Sequence, residues 1–124
     1  MREPLTEHFY RDEFACRCGC GFDTVDTELV KFLQASRDHF GKPHTIISGC
    51  RCPEYNSRKE VGGKENSQHL YGRAADYVVE GVSPDLVQDF AEKYGMSGIG
   101  FYTTFTHVDS RSDFPARWWG EDNP

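Results

Sequence analysis

The sequence predicts a single α+β domain over residues 1–124, built on a small, mainly antiparallel sheet flanked by helices. The chain has 124 residues, a length typical of one domain and sufficient to bury about two-thirds of the unfolded surface. Its predicted elements follow the order helix, strand, loop, strand, helix, strand, strand, which favours an α+β fold. No internal repeat, linker or low-complexity segment interrupts that order.

Two segments have apolar residues at the spacing of an amphipathic α-helix. The first follows Asp26, a suitable N-cap, and ends at Gly41. Its apolar positions at helical spacing are Val25, Leu29, Phe32, Leu33 and Phe40. The second begins at Ser83 and Pro84, a cap followed by a first-turn proline, and ends at Gly95. Its apolar positions are Leu86, Val87, Phe90, Ala91 and Tyr94.

Short apolar and β-branched runs predict four strands, at residues 44–48, 74–79, 98–102 and 105–110. Residues 49–72 are predicted to form a long loop with one helical turn, and a loop of that length in a small domain is usually functional. Residues 1–22 are expected to be irregular, and residues 114–124 show no clear element. Trp118 and Trp119 in that tail are expected to anchor the chain end on the core rather than to flank a binding groove.

Composition excludes two classes of function. The chain has 14 basic and 20 acidic residues, a net charge of −6 and a pI near 5.3, which argues against an electrostatic nucleic-acid binder. No apolar run approaches the roughly 20 residues that span a bilayer, and no signal peptide is visible at the start. We therefore expect a protein made in the cytoplasm that binds neither nucleic acid nor membrane, and that is monomeric.

Three side chains are candidates for a metal site. His69 ends the long loop, Asp76 interrupts an apolar strand, and His107 lies in another apolar strand. A buried carboxylate is costly unless it is paired or binds a metal, and two imidazoles with one carboxylate suit a catalytic zinc ion. The spacing alone leaves equally open a buried aspartate that accepts backbone hydrogen bonds and two unrelated histidines.

A resemblance to a known family favours the metal site. The chain contains Ser67-x-His69-x-x-Gly72-x-Ala74-x-Asp76, followed by His107-x-Asp109. This pattern resembles the zinc D-alanyl-D-alanine carboxypeptidases and related peptidoglycan endopeptidases, the LAS-type peptidases. Further similar stretches lie at residues 48–51, 53–56, 61–63, 66–69 and 98–102.

The resemblance implies a role for each matching residue. His69, Asp76 and His107 would bind Zn²⁺, and Arg51 would hold a substrate carboxylate or the oxyanion of a tetrahedral intermediate. Many members place an acid or a histidine two or three residues before the last ligand as general base, whereas this chain has Thr104 and Phe105 there. Asp109 lies on the same strand face as His107 by alternation, so it is either the base or a partner that orients an imidazole.

The five cysteines form two groups, Cys16-x-Cys18-x-Cys20 and Cys50-x-Cys52. Four thiolates can close a structural zinc site, but the usual spacing is Cys-x-x-Cys. Free thiols are favoured on that ground, and disulfides are open if the protein works outside the cell.

The predicted function is zinc-dependent hydrolysis of peptide bonds in peptidoglycan, by D,D-carboxypeptidase or endopeptidase action, with a zinc-activated water attacking the scissile carbonyl. The alternative is a non-catalytic zinc-binding module on the same scaffold that binds the cell wall or a partner. The chain resembles compact phage-borne versions, so we expect it to act on the cell wall as a lysis enzyme or virion component.

Overall fold

The computed structural model describes residues 2–120 and confirms the α+β prediction. Its helices are α1 (Thr27–Phe40), α2 (Pro53–Asn56) and α3 (Pro84–Tyr94), and short 3-10 helices lie at Arg11–Phe14 and Gln68–Tyr71. The strands are β1 (His44–Ser48), β2 (Ala74–Val79), β3 (Gly98–Phe101), β4 (Thr106–Asp109) and β5 (Ala116–Trp119). In the part of the chain described, no helix is long and apolar enough to cross a membrane.

The five strands form one sheet in the order β1-β2-β4-β3-β5. Every neighbouring pair is antiparallel except β3 and β5, which are parallel. Strand β4 therefore lies at the centre, between β2 and β3. Its register places His107 opposite Asp76 of β2 and Gly100 of β3.

The two faces of the sheet have different chemistry because side chains alternate along each strand. Ala75 and Tyr77 of β2, Ile99 of β3 and Val108 of β4 belong to the buried apolar core. Helices α1 and α3 cover this face, and their largest buried contribution is Phe32, whose ring packs edge-on against Tyr77 at 6.4 Å. The alternate positions of these strands face the opposite side of the sheet. They hold the side chains of Asp76, His107 and Asp109, together with Gly98 and Gly100.

Glycines on that opposite face make room for larger side chains. A Cβ on Gly98 would meet the carboxylate of Asp109, and one on Gly100 would lie 2.9 Å from the indole of Trp118. Two close approaches in one short strand thus depend on the absence of a side chain.

The predicted helices and the first four strands are confirmed to within a residue or two at their ends. Asp26 does occupy the N-cap of α1, but its side chain makes no cap hydrogen bond and instead accepts one from Ser110 Oγ at 2.6 Å. The expectation of no clear element after residue 114 is wrong, since β5 forms there. The N-terminal segment is not wholly irregular, because it holds a 3-10 helix that buries Phe14. Residues 1 and 121–124 lie outside the described range.

Candidate metal centre

The structure brings the three predicted ligands together. His69 comes from the 3-10 helix near the end of the long loop, Asp76 from β2 and His107 from β4. His107 Nδ1 lies 2.9 Å from Asp76 Oδ1, and His69 Nε2 lies 3.4 Å from Asp76 Oδ2. One nitrogen or oxygen atom from each residue lies within 4.8 Å of the others. Such a triangle of donors can hold a single metal ion.

Local sequence fixes the position of His69. Ser67 caps the 3-10 helix by accepting a hydrogen bond from the His69 backbone N–H at 3.2 Å. Gly72 ends it with φ of 68°, in the left-handed region, and a side chain there would collide with the backbone carbonyl of Thr24. The serine and glycine of the sequence pattern therefore define the turn that presents His69 and returns the chain to β2.

A hydrogen bond on the far nitrogen orients each imidazole. His69 Nδ1 donates to the Gly49 carbonyl at 2.6 Å, and His107 Nε2 donates to Asp109 Oδ2 at 2.8 Å. The other nitrogen of each ring then faces Asp76. Metal-binding histidines usually have such an acceptor behind them, because it selects the tautomer and raises the basicity of the ligating nitrogen. The donor set therefore fits a zinc ion.

The electrostatics of the cluster also favour a bound cation. Burial lowers the pKa of His69, so its imidazole is held neutral. Burial opposes ionisation of Asp76, but His69 and His107 outweigh it and hold the pKa of that carboxyl well below its usual range. Burial likewise disfavours a charged His107, yet hydrogen bonds to Asp109 and Asp76 raise its pKa. The ionised Asp76 carboxylate beside the two imidazoles thus supplies a negative charge that suits a metal cation.

Asp109 forms the support behind His107. Its side chain is fully buried and, besides His107, accepts hydrogen bonds from Nε and Nη2 of Arg111, both at 2.7 Å. Burial disfavours its charge, but Arg111 and His107 hold the pKa of Asp109 well below the usual range. Both carboxylate oxygens are thus occupied by partners.

Arg51 lies at the edge of the cluster. Its Nη2 is 3.4 Å from Asp76 Oδ2, while Nε donates to Ser48 Oγ at 3.1 Å and Nη1 to Asn56 Oδ1 at 3.2 Å. The side chain is 13% exposed. These contacts fix the guanidinium beside the cluster and leave part of it accessible.

The cluster opens into a pocket of about 430 Å³. Its wall includes Arg51, Lys64, Gln68, Tyr102, Phe105, Arg111, Asp113 and Trp118. The Trp118 ring lies 4.8 Å from that of His107 and also faces the Arg111 guanidinium. The expectation that both tryptophans only anchor the chain end is therefore wrong for Trp118. Trp119 is 76% exposed and stacks on Phe101.

All of the predicted site residues lie in this region, and other residues that were not predicted lie beside them. Arg111 and Asp113 line the pocket together with Trp118. Alternation offered a signal for Arg111, since it lies two residues beyond Asp109 and a buried aspartate needs a cationic partner. Phe105, at one of the positions where a base was sought, is an apolar part of the wall and stacks on Tyr102 at 4.2 Å.

Comparison with known proteins gives concordant matches. Residues 7–109 match the model of a family described as peptidase M15. The chain is 29% identical to the peptidoglycan L,D-endopeptidase MepK of Escherichia coli over 128 aligned positions, which cover 96% of this chain and 66% of that protein. It is 35% identical over 79 positions to the probable peptidoglycan L,D-endopeptidase MepK of Haemophilus influenzae, covering 60% of this chain and 41% of that protein. The chain thus spans just under two-thirds of the length of the first relative.

Proposed function

We propose that this chain, which belongs to the peptidase M15 family, hydrolyses peptide bonds of peptidoglycan with a zinc ion held by His69, Asp76 and His107. One observation carries the proposal. Each histidine has a separate acceptor, the Gly49 carbonyl or Asp109, that turns its free nitrogen toward Asp76. This arrangement lies at the base of an open pocket, where a ligand can reach it.

The metal and the protein would have separate tasks. When bound, zinc supplies a Lewis acid that polarises a carbonyl and lowers the pKa of water toward ~7. Three protein ligands leave a coordination position for water or substrate. The chain itself fixes the ligands, closes one side of the site with Trp118, and directs Arg51 into the pocket.

Arg51 would bind the negative charge of the substrate. A guanidinium stays charged at any working pH and offers a planar pair of donors that matches a carboxylate or an oxyanion. Its hydrogen bonds to Ser48 and Asn56 hold that donor plane in place before substrate arrives.

Asp109 would position His107 rather than take a proton. It is fully buried, and its oxygens already accept hydrogen bonds from His107 and Arg111. Among the described residues that line the pocket, Asp113 is the carboxylate outside the ligand set. We therefore assign to Asp113 the acceptance of the proton, a role that Thr104 and Phe105 have no chemistry to perform.

The substrate class follows from the relatives together with the pocket. One relative is named as a peptidoglycan L,D-endopeptidase and the other as a probable peptidoglycan L,D-endopeptidase. The pocket of this chain combines arginines, a lysine and aromatic rings, which suits a peptide with carboxylate groups. Action on such a substrate places the protein at the cell wall. A phage-borne lysis enzyme or virion component, acting as a monomer, is the setting that we propose.

The test uses purified peptidoglycan. Wild-type protein loaded with zinc should release new amino groups and shortened peptides, identified by mass spectrometry, and chelation should stop the release until zinc is restored. The masses distinguish a terminal D-alanine from an internal cut. His69→Ala should be inactive. Wild-type protein that holds zinc and sediments with the wall but releases nothing would instead support the non-catalytic binding module.

A further inference from the structure

Four cysteines form a second group of metal-type ligands outside the site described above. Cys16, Cys18 and Cys20 lie in the loop after the first 3-10 helix, and Cys52 is the N-cap of α2. Their sulfur atoms all lie within 4.8 Å of one another. We call these four residues the cysteine cluster.

The sulfur separations suit a shared metal ion. Sγ of Cys18 is 3.5 Å from that of Cys16 and 3.6 Å from that of Cys52. The S–S bond of a disulfide is about 2.05 Å long, which is much shorter than these separations. Tetrahedral zinc with Zn–S bonds of about 2.3 Å places its sulfurs about 3.8 Å apart. The observed separations lie close to the edge length of that tetrahedron.

The backbone brings the cysteines together despite their unusual spacing in the sequence. Gly19 and Gly21 have φ of 82° and 94°, a left-handed conformation that glycine adopts readily. The Gly19 N–H donates to the Cys16 carbonyl at 3.1 Å and closes a tight turn. Three cysteines within five residues can therefore point to one place, which the Cys-x-Cys spacing alone did not indicate.

Backbone donors also support the sulfurs. The Cys52 N–H lies 3.4 Å from Cys16 Sγ, and the Tyr55 N–H lies 3.4 Å from Cys52 Sγ. Hydrogen bonds of this kind orient metal ligands from behind and stabilise the thiolate form. The first of these contacts connects the N-terminal loop to the N-cap of α2, and the second lies within the first turn of α2.

The fifth cysteine has a different environment. Cys50 is buried, and its thiol donates to the Phe22 carbonyl at 3.0 Å. It is not a member of the cluster. The odd number of cysteines is thus resolved into four potential ligands and one thiol with a hydrogen-bond acceptor of its own.

We propose that the cysteine cluster binds a structural zinc ion as a closed four-thiolate site. Four sulfur ligands leave no coordination position for substrate, so the ion would stabilise the fold rather than take part in hydrolysis. It would join the loop of residues 15–22 to the segment that carries Arg51, which directly precedes Cys52 in the chain. The cysteine cluster would therefore help to hold the guanidinium at the edge of the histidine cluster, the group of His69, Asp76 and His107. This role does not depend on what the protein hydrolyses.

The test is the zinc content of the full chain, purified without chelator and measured by elemental mass spectrometry. Wild-type protein should hold two zinc ions. Cys18→Ser and Cys52→Ser should each hold one, as should His107→Ala. Cys50→Ser is the matched control, a cysteine of the same segment outside the cluster, and should keep both ions.

Cobalt titration of His107→Ala provides a second readout that needs no cysteine variant to fold. A sulfur-to-cobalt charge-transfer band that saturates at one equivalent would support the thiolate site, and its absence would overturn the proposal. A single zinc in wild-type protein that Cys18→Ser leaves intact would also overturn it. Iron at the cluster would refute zinc, and a disulfide among the four cysteines in the purified protein would refute a metal site.

Discussion

Replacing Asp109 by asparagine tests the support of His107 without changing the volume of the side chain. Asp109 is fully buried and bound on both oxygens, by His107 and by two N–H groups of Arg111. Asparagine keeps one oxygen and turns the other into an N–H₂ group. In either orientation that group faces an Arg111 donor, and the guanidinium loses its counter-charge.

The expected loss in the free energy of unfolding lies between two limits. Removing one partner of a buried ion pair costs about 3–5 kcal/mol, whereas exposed pairs contribute about 0–1 kcal/mol. Arg111 is 21% exposed and can reach water, so we expect a loss of about 2 kcal/mol, which for a domain of this size lowers Tm by about 8 °C. Loss of the carboxylate charge behind His107 should weaken zinc binding at the histidine cluster by about 10–100-fold.

Urea unfolding of the metal-free proteins measures the free energy of unfolding. Competition with a chelator measures zinc affinity. The matched control is Asp89→Asn, which removes the same charge from an exposed pair with Lys93 and should change stability by less than about 1 kcal/mol. Asp109→Asn with wild-type stability and zinc affinity would refute the positioning role. Wild-type turnover in that variant would remove Asp109 from the mechanism.

The same variant has a predicted pH dependence. Because the folded-state pKa of Asp109 is lowered, its ionised form stabilises the protein fully above the unfolded pKa of about 3.9. That stabilisation is lost as pH falls through the folded-state value. Below the unfolded pKa of histidine, about 6.5, the stability difference between wild type and Asp109→Asn should be constant down to about pH 4 and should shrink below it. A difference that grows as pH falls below about 4 would contradict this assignment.

Four further predictions follow from the site and the sheet. His107→Ala should lose zinc at the histidine cluster, measured as metal per chain, and all turnover. Arg51→Lys should keep zinc but lower kcat/KM for wall peptides by about 10²–10³-fold, since a bidentate donor pair to the oxyanion is lost; an unchanged rate would exclude that role. Asp113→Asn should keep zinc and stability while turnover falls by about 10²–10⁴-fold, and normal turnover would assign proton acceptance elsewhere. Gly98→Ala should destabilise the fold by about 1–3 kcal/mol in urea unfolding, because the new Cβ meets the carboxylate of Asp109.

Local patterns predicted most of the fold. Helices α1 and α3 follow from apolar residues at helical spacing with glycine at the ends, and β1 to β4 from short apolar runs. Strand β5 escaped prediction because its residues, Ala116–Trp119, alternate poorly and gain their order from parallel pairing with β3. Arg117 strengthens that pairing by bonding to the Met96 and Ser97 carbonyls and to Glu92. None of these long-range partners is visible in the four residues themselves.

The sequence by itself determined which residue types are available for chemistry. A histidine near the end of a long loop, an aspartate within an apolar strand and a His-x-Asp pair left a metal site and an unrelated set of residues equally open, and the resemblance favoured the metal site. Alternation also placed Asp109 on the same face as His107, as the structure has it. The placement of Asp109 succeeded because it concerns two residues of one strand.

Only the tertiary structure decided how those residues meet. Antiparallel pairing of β2 with β4 sets Asp76 opposite His107 across 31 positions of chain, and a loop carbonyl at Gly49 selects the tautomer of His69. The same holds for Cys52, which reaches Cys18 from 34 residues away. Spacing along the sequence determines only local geometry. Distances between ligands from separate segments depend on sheet register and loop packing, and these depend on the whole chain.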